Sequence, residues 1–215
     1  MSTTKSTHKS THKGISKKMK PTIINKDSDF VVITYWWGRG NLNMNTARPC
    51  EKDENYESFY KNSKTKKPIT YDKMIEHWKK SCRDNKCNYM DIEYPEFAKK
   101  GMYQYAINQK PIFIKEALDA CYPRAILYID GDMLIKKYPI LFDMKNIDYM
   151  AHHWNADSRR TTHGICYDPY VFETSGGTMY FNNTPKAYEL IDVWIQKSKL
   201  FPGKADDRIL SLYFN

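Results

Sequence analysis

Ala125-Ile126-Leu127-Tyr128-Ile129-Asp130-Gly131-Asp132-Met133 opens with five uncharged residues and breaks into two carboxylates separated by one glycine. A run of this kind suits a strand buried on both faces better than a half-exposed hairpin strand. Where such a strand leaves the sheet, glycine permits a tight bend, and both carboxylates can turn toward one point to form a hard-cation site. Asp-Gly is also the strongest hairpin-turn dipeptide, with Met133-Leu134-Ile135 as the return strand. The tripeptide alone carries both readings.

Upstream of this run, Ile112, Phe113, Ala117, Leu118 and Cys121 share one face of a helix over 111–121, with Pro111 in its first turn and Pro123 beyond its end. Further back, Phe30-Val31-Val32-Ile33-Thr34-Tyr35 reads as a buried first strand, Met74, Ile75 and Trp78 recur at helical spacing over 71–82, and 87–92 reads as a short strand. Residues 41–67 are polar and loop-like. Downstream, strands are expected at 149–152 and 178–181, with a helix over 185–199 that carries Ala187, Leu190, Ile191 and Trp194. Alternating strands and helices predict a single α/β domain with a mixed, mostly parallel sheet flanked by helices, its ligand beyond the C-terminal ends of the strands.

The formal charge of +9 over 215 residues is unevenly placed. Seven lysines and no acid lie in residues 1–26, leaving 27 basic against 25 acidic residues in the remainder, which is nearly neutral. That remainder lacks the basic excess of a nucleic-acid-binding domain, so contact with nucleic acid is expected only through the tail. Lys5-Ser6-Thr7-His8 is repeated at once as Lys9-Ser10-Thr11-His12, in a tract with almost nothing to bury. Residues 1–28 are therefore expected to be disordered and 29–215 to form the domain.

The five cysteines, at 50, 82, 87, 121 and 166, form no paired framework or zinc spacing and read as free thiols in a reducing compartment. No apolar run approaches the ~20 residues of a membrane span, and no signal-peptide core is present. A cytoplasmic protein is expected.

A divalent ion held by Asp130 and Asp132 would neutralise charge on a diphosphate leaving group, which is Lewis-acid assistance. The strand with its Asp-Gly-Asp end resembles the DxD element of GT-A fold glycosyltransferases, especially the retaining family that includes glycogenin and bacterial galactosyltransferases. Two further segments match in order. Ser175-Gly176-Gly177-Thr178-Met179-Tyr180-Phe181, followed by Asn182-Asn183-Thr184-Pro185, is similar to the family's Asn-Ser-Gly turn, strand and helix. Asp206-Asp207-Arg208-Ile209-Leu210-Ser211-Leu212-Tyr213-Phe214 is similar to its Asp-Gln-x-Leu-Leu-Asn-x-Phe-Phe element. Taken together, residues 30–215 resemble nucleotide-diphospho-sugar transferases of large DNA viruses and algae, which would place the protein in a host cytoplasm or a virion.

The resemblance implies a GT-A (Rossmann-like) fold and transfer of a sugar, with retention, from a nucleotide-diphosphate donor, a UDP-sugar first, to an acceptor glycan or protein that it does not specify. It implies Mn²⁺ or Mg²⁺ on Asp130 and Asp132, with Asp130 and Gly131 also beside the nucleotide. Ser175, Gly176 and Gly177 would form a turn under the donor sugar, where glycine lets backbone amides approach a hydroxylated ligand; a plain strand-entry turn is the alternative. Asp206 and Asp207 would be catalytic, Asp207 standing where the family has Gln; as plain residues they are also normal first-turn acids of a helix. Thr34, Tyr35 and Trp36, at the end of the first strand, would contact base and ribose, or else belong to the core. Lys110 would approach the phosphates, or be a solvated surface lysine.

The family's third metal ligand, a His in a later C-terminal segment, has no counterpart before Asn215, and His152, His153 and His163 do not fit its position. A domain cut short, or completed by another segment or chain, is the expectation. Glu173 has no clear family equivalent and is placed facing the acceptor. Two other readings compete: a nucleotidyltransferase, which needs a phosphate loop near residue 36 that Gly38-Arg39-Gly40 fits weakly, and a non-catalytic or virion-associated module that binds through its basic tail.

Overall fold

A computed structural model describes residues 19–38, 70–99, 101–143, 146–153 and 174–214. Five strands form one sheet: β1 (Phe30–Trp36), β2 (Tyr89–Glu93), β3 (Ala125–Ile129), β4 (Tyr149–His153) and β5 (Thr174–Phe181), in the spatial order β2-β1-β3-β5-β4. The helices are α1 (Tyr71–Asp84), α2 (Tyr103–Asn108), α3 (Lys110–Cys121), α4 (Pro185–Leu200) and α5 (Asp206–Ser211), with short 3₁₀ turns at Pro95–Ala98 and Ile140–Asp143. The α/β class and the single domain hold. Among the described residues no helix is long and apolar enough to cross a membrane.

The sheet is mixed, as expected, but it is not mostly parallel. β1 runs parallel to β2 and β3, whereas β3–β5 and β5–β4 are antiparallel. All five residues of β3 are buried. A strand covered on both faces reads as a continuous apolar run whichever way its neighbour points, so strand direction leaves no mark on the residues.

One face of the sheet, with Val31, Ile33, Tyr128, Met179 and Phe181, packs on Phe113, Ile114 and Leu118 of α3, Ile191 and Trp194 of α4, and Ile209 and Leu210 of α5. The opposite face, with Phe30, Val32, Leu127, Ile129 and Tyr180, covers Trp78 and Cys82 of α1, and Tyr138 and Phe142 lie against it. Burying each such large apolar side chain contributes about 1.5–3 kcal/mol before entropy is counted. α4 starts where Thr184 Oγ1 accepts from the Ala187 amide at 3.3 Å, with Pro185 in its first turn.

Three further expectations change. Ser175, Gly176 and Gly177 lie inside β5, which starts at Thr174, and do not form a turn before it. Glycine is a poor strand former, but here a side chain would collide: a Cβ at Gly176 would stand 3.0 Å from Asp206 Oδ2, and one at Gly177 2.7 Å from Met133 Cε. The Asp-Gly turn is not a hairpin, because β3 pairs with β1 and β5, and Ile135 instead donates its amide to Ser81 Oγ at 3.1 Å. Structure also begins before residue 29. Thr22 exchanges two backbone hydrogen bonds with Tyr89 at 2.8 and 3.1 Å, and the Asn88 side chain accepts from the amides of Ile24 and Asn25 at 2.8 and 2.9 Å. Residues 1–18, the loop 41–67, Arg39, Gly40, His163 and Glu173 lie outside the described residues.

Candidate functional site

The C-terminal ends of β1 and β3 open into a cavity of about 410 Å³. β1 contributes Tyr35, Trp36 and the following Trp37; β3 leads into Asp130, Gly131, Asp132 and Met133; β5 supplies Ser175, Gly176 and Gly177. Helices close the remaining sides with Tyr71, Met74 and Ile75 of α1, Tyr103 and Ile107 of α2, Lys110 of α3, and Asp206 and Asp207 of α5. The antiparallel register brings acid turn and glycine pair together: Ile129 pairs with Thr178, and the Asp130 amide donates to the Gly177 carbonyl at 3.0 Å.

Lys110 sits at the centre, 6% exposed. Its Nζ forms an ion pair with Asp206 Oδ2, donates to the Gly176 carbonyl at 3.0 Å, lies 3.5 Å from Asp130 Oδ1 and stands 4.9 Å from the centroid of the Tyr128 ring. Tyr128 in turn donates its hydroxyl to Asp130 Oδ1 at 2.7 Å. Burial alone would lower the Lys110 pKa, but Asp130 and Asp206 outweigh it and hold the ammonium well above the ordinary lysine value. Lys110 is therefore a permanent cation, and the solvated-surface reading does not apply.

The carboxylates differ in their freedom. Asp206 is tied to Lys110, with a side chain 12% exposed. The Asp130 carboxyl is 37% exposed at the cavity mouth, and the protein packed around it, more than any charge, raises its pKa despite Lys110 and the Tyr128 hydroxyl. The Asp207 pKa is raised by burial and then by Asp206, and its Oδ1 accepts the Arg208 amide at 2.7 Å. Neither Asp206 nor Asp207 caps α5 with its side chain; Ala205 holds the N-cap position. Four carboxyl groups and one ammonium line the cavity, a formal charge of −3.

Of the residues named from sequence, Tyr35, Trp36, Lys110, Asp130, Gly131, Asp132, Ser175, Gly176, Gly177, Asp206 and Asp207 line this one cavity. Thr34 does not line it. Its side chain is fully buried beneath Gly131, with Oγ1 3.8 Å from the position of a Gly131 Cβ and without a hydrogen bond. Tyr35 is a core residue that also lines the cavity, and its hydroxyl donates to the Ala106 carbonyl at 2.9 Å. The indole of Trp36 donates to Asp91 Oδ2 at 3.1 Å, so only its ring remains for a ligand. Sequence reasoning missed Trp37, Tyr71, Tyr103 and Tyr128. Tyr128 carried a signal, because two residues along a strand return to the same face as Asp130.

Among the described residues no group of three or more His, Cys, Asp or Glu side chains is placed to hold a metal ion, and His152 does not line the cavity; the His153 side chain lies outside the described residues. Asp130 and Asp132, two of the four carboxylates in the cavity, are hard oxygen donors. This set fits an ion such as Mg²⁺, which takes one or two carboxylates and completes its shell with ligand phosphates and water. Gly38, two residues beyond β1, adopts φ 85°, a conformation that favours glycine. No protein-family model, curated protein or solved structure matches the chain.

Proposed function

We propose that this cavity binds a nucleotide-diphospho-sugar together with Mn²⁺ or Mg²⁺ and transfers the sugar to an acceptor. The observation that carries the reading is the charge balance at the end of the buried strand: four carboxylates against one lysine, beside a wall of aromatic rings. A diphosphate is repelled by a net negative cavity unless a divalent cation enters with it, so an acidic pair there suits an anionic ligand that arrives with its metal. The indole and phenol rings of Trp36, Trp37, Tyr71 and Tyr103 offer faces on which a base can stack.

A divalent ion bound to Asp130 and Asp132 would supply charge neutralisation for the departing diphosphate. The protein's own part is to hold Asp130 in place through Tyr128 and Lys110, to hold Asp206 beside the sugar through its contact with Lys110, and to present Asp207 to the reacting face. A uridine diphosphate sugar is the first donor to test.

The test is turnover of a panel of nucleotide-sugars by the full chain with and without Mn²⁺, with UDP binding followed by calorimetry. Metal-dependent release of UDP supports the proposal, and Asp130→Asn and Asp132→Asn should each abolish it. A folded protein that neither binds UDP nor hydrolyses any donor would refute it, and release of pyrophosphate from nucleoside triphosphates would point to nucleotidyl transfer.

A further inference from the structure

We propose that Lys110 is the resident cation of the acidic cluster: its ammonium, anchored on Asp206 and the Gly176 carbonyl, competes with a divalent ion for Asp130. The inference rests on the metal part of the function proposed above.

The surroundings of this ammonium are those of a cation site, with two carboxylates, a backbone carbonyl and the face of an aromatic ring. It has little room to withdraw. Lys110 is 6% exposed, and its anchors come from three separate elements, β3, β5 and α5. Asp130 Oδ1 already receives the Tyr128 hydroxyl at 2.7 Å and faces Lys110 Nζ at 3.5 Å, which leaves Oδ2 as the oxygen to share with a metal. A divalent ion there would stand within a few ångströms of a fixed positive charge. In a protein interior such like-charge repulsion is worth more than a tenfold change in affinity.

The cluster is thus built to hold metal weakly on its own. An arriving diphosphate, being anionic, relieves the repulsion, so metal and nucleotide favour each other's binding beyond the contacts that they make directly. This assigns Lys110 a positioning role, acting through Asp130.

The test is Mn²⁺ titration of the full chain without nucleotide, with free Mn²⁺ followed by electron paramagnetic resonance. Lys110→Met and Lys110→Gln should each tighten Mn²⁺ binding by roughly tenfold or more through loss of the repelling charge. Lys110→Arg should stay within a few-fold of wild type, because it keeps that charge. Lys110→Gln retains a donor for Gly176 and carries the test if Lys110→Met does not fold. Mn²⁺ binding that Asp130→Asn removes but a natively melting Lys110→Gln leaves unchanged or weakens would overturn this inference alone. No Mn²⁺ binding by any form up to millimolar concentration would overturn both it and the metal part of the proposed function.

Discussion

Lys110 and Asp206, 96 positions apart in the chain, form an ion pair in the protein interior, and it joins the first residue of α3 to the first residue of α5. Removing one partner of a buried pair leaves an uncompensated charge, at a cost of about 3–5 kcal/mol. Lys110→Met should therefore lower stability by that order. Lys110→Met combined with Asp206→Asn should be more stable than Lys110→Met alone, because the orphaned carboxylate is gone. Urea denaturation of the single and double variants measures the coupling.

The two glycines of β5 should respond differently to alanine. At Gly176 a Cβ would meet Asp206 Oδ2 at 3.0 Å and Lys110 Nζ at 3.3 Å, both held in the ion pair. At Gly177 the nearest atom, 2.7 Å away, is the terminal methyl of Met133, which can swing aside, although Asp130 Oδ2 follows at 3.1 Å. Gly176→Ala should cost about 1–3 kcal/mol and Gly177→Ala less, as expected of overpacking. Gly203→Ala, with nothing within 4 Å, is the neutral control. Thermal melts of the three variants give the ranking.

Asp206 and Asp207 are adjacent yet should separate in kinetics. Asp206 is committed to Lys110, so Asp206→Asn should lose both stability and turnover. Asp207 is half-buried, lines the cavity and spends one oxygen on the Arg208 amide, so Asp207→Asn should cost less stability than Asp206→Asn. If Asp207 acts on the substrate, the same variant loses kcat by about 10²-fold or more with little change in UDP affinity. Equal turnover by Asp207→Asn and wild type would remove it from the chemistry.

The buried thiols contribute to the alkaline sensitivity of the fold. Burial pushes Cys82 up to about 12, Cys87 to about 11 and Cys121 to about 12, from an ordinary value of 9.0. An acid whose folded pKa is raised contributes stability that is present in full below the unfolded value and is lost as pH rises toward the folded one. Stability should therefore hold up to about pH 9 and then fall by roughly 1.4 kcal/mol per pH unit for each thiol. Urea midpoints between pH 8 and 10.5 test the slope. Alkylation at pH 8.5, mapped by mass spectrometry, should leave these three cysteines unmodified in the folded chain and modified in urea.

What the sequence discloses follows from how local each feature is. β3 and α4 are legible because a fully buried strand is uniformly apolar and a one-sided helix repeats at its own period. The upstream half of β5 is not, since Ser175, Gly176 and Gly177 contradict strand propensity in order to admit Lys110, Asp130 and Asp206. Eleven of the site residues named from sequence meet in one cavity, yet the ion pair at its centre joins residues whose separation no periodicity encodes. Trp37 and Tyr103 are ordinary aromatics until the fold brings them to the same wall.

The strap at residues 19–28 bears on how copies of this chain meet one another. β2 is the outermost strand, and Thr22 takes up hydrogen-bonding groups along its open side, while Asn88 pins the strap behind it. An unprotected strand edge is a template for another chain. A shortened protein that begins at residue 29, where composition alone would place the domain boundary, bares that edge and gives neighbouring molecules a strand to extend. Residues 19–28 thus cover part of the β2 edge that would otherwise be open.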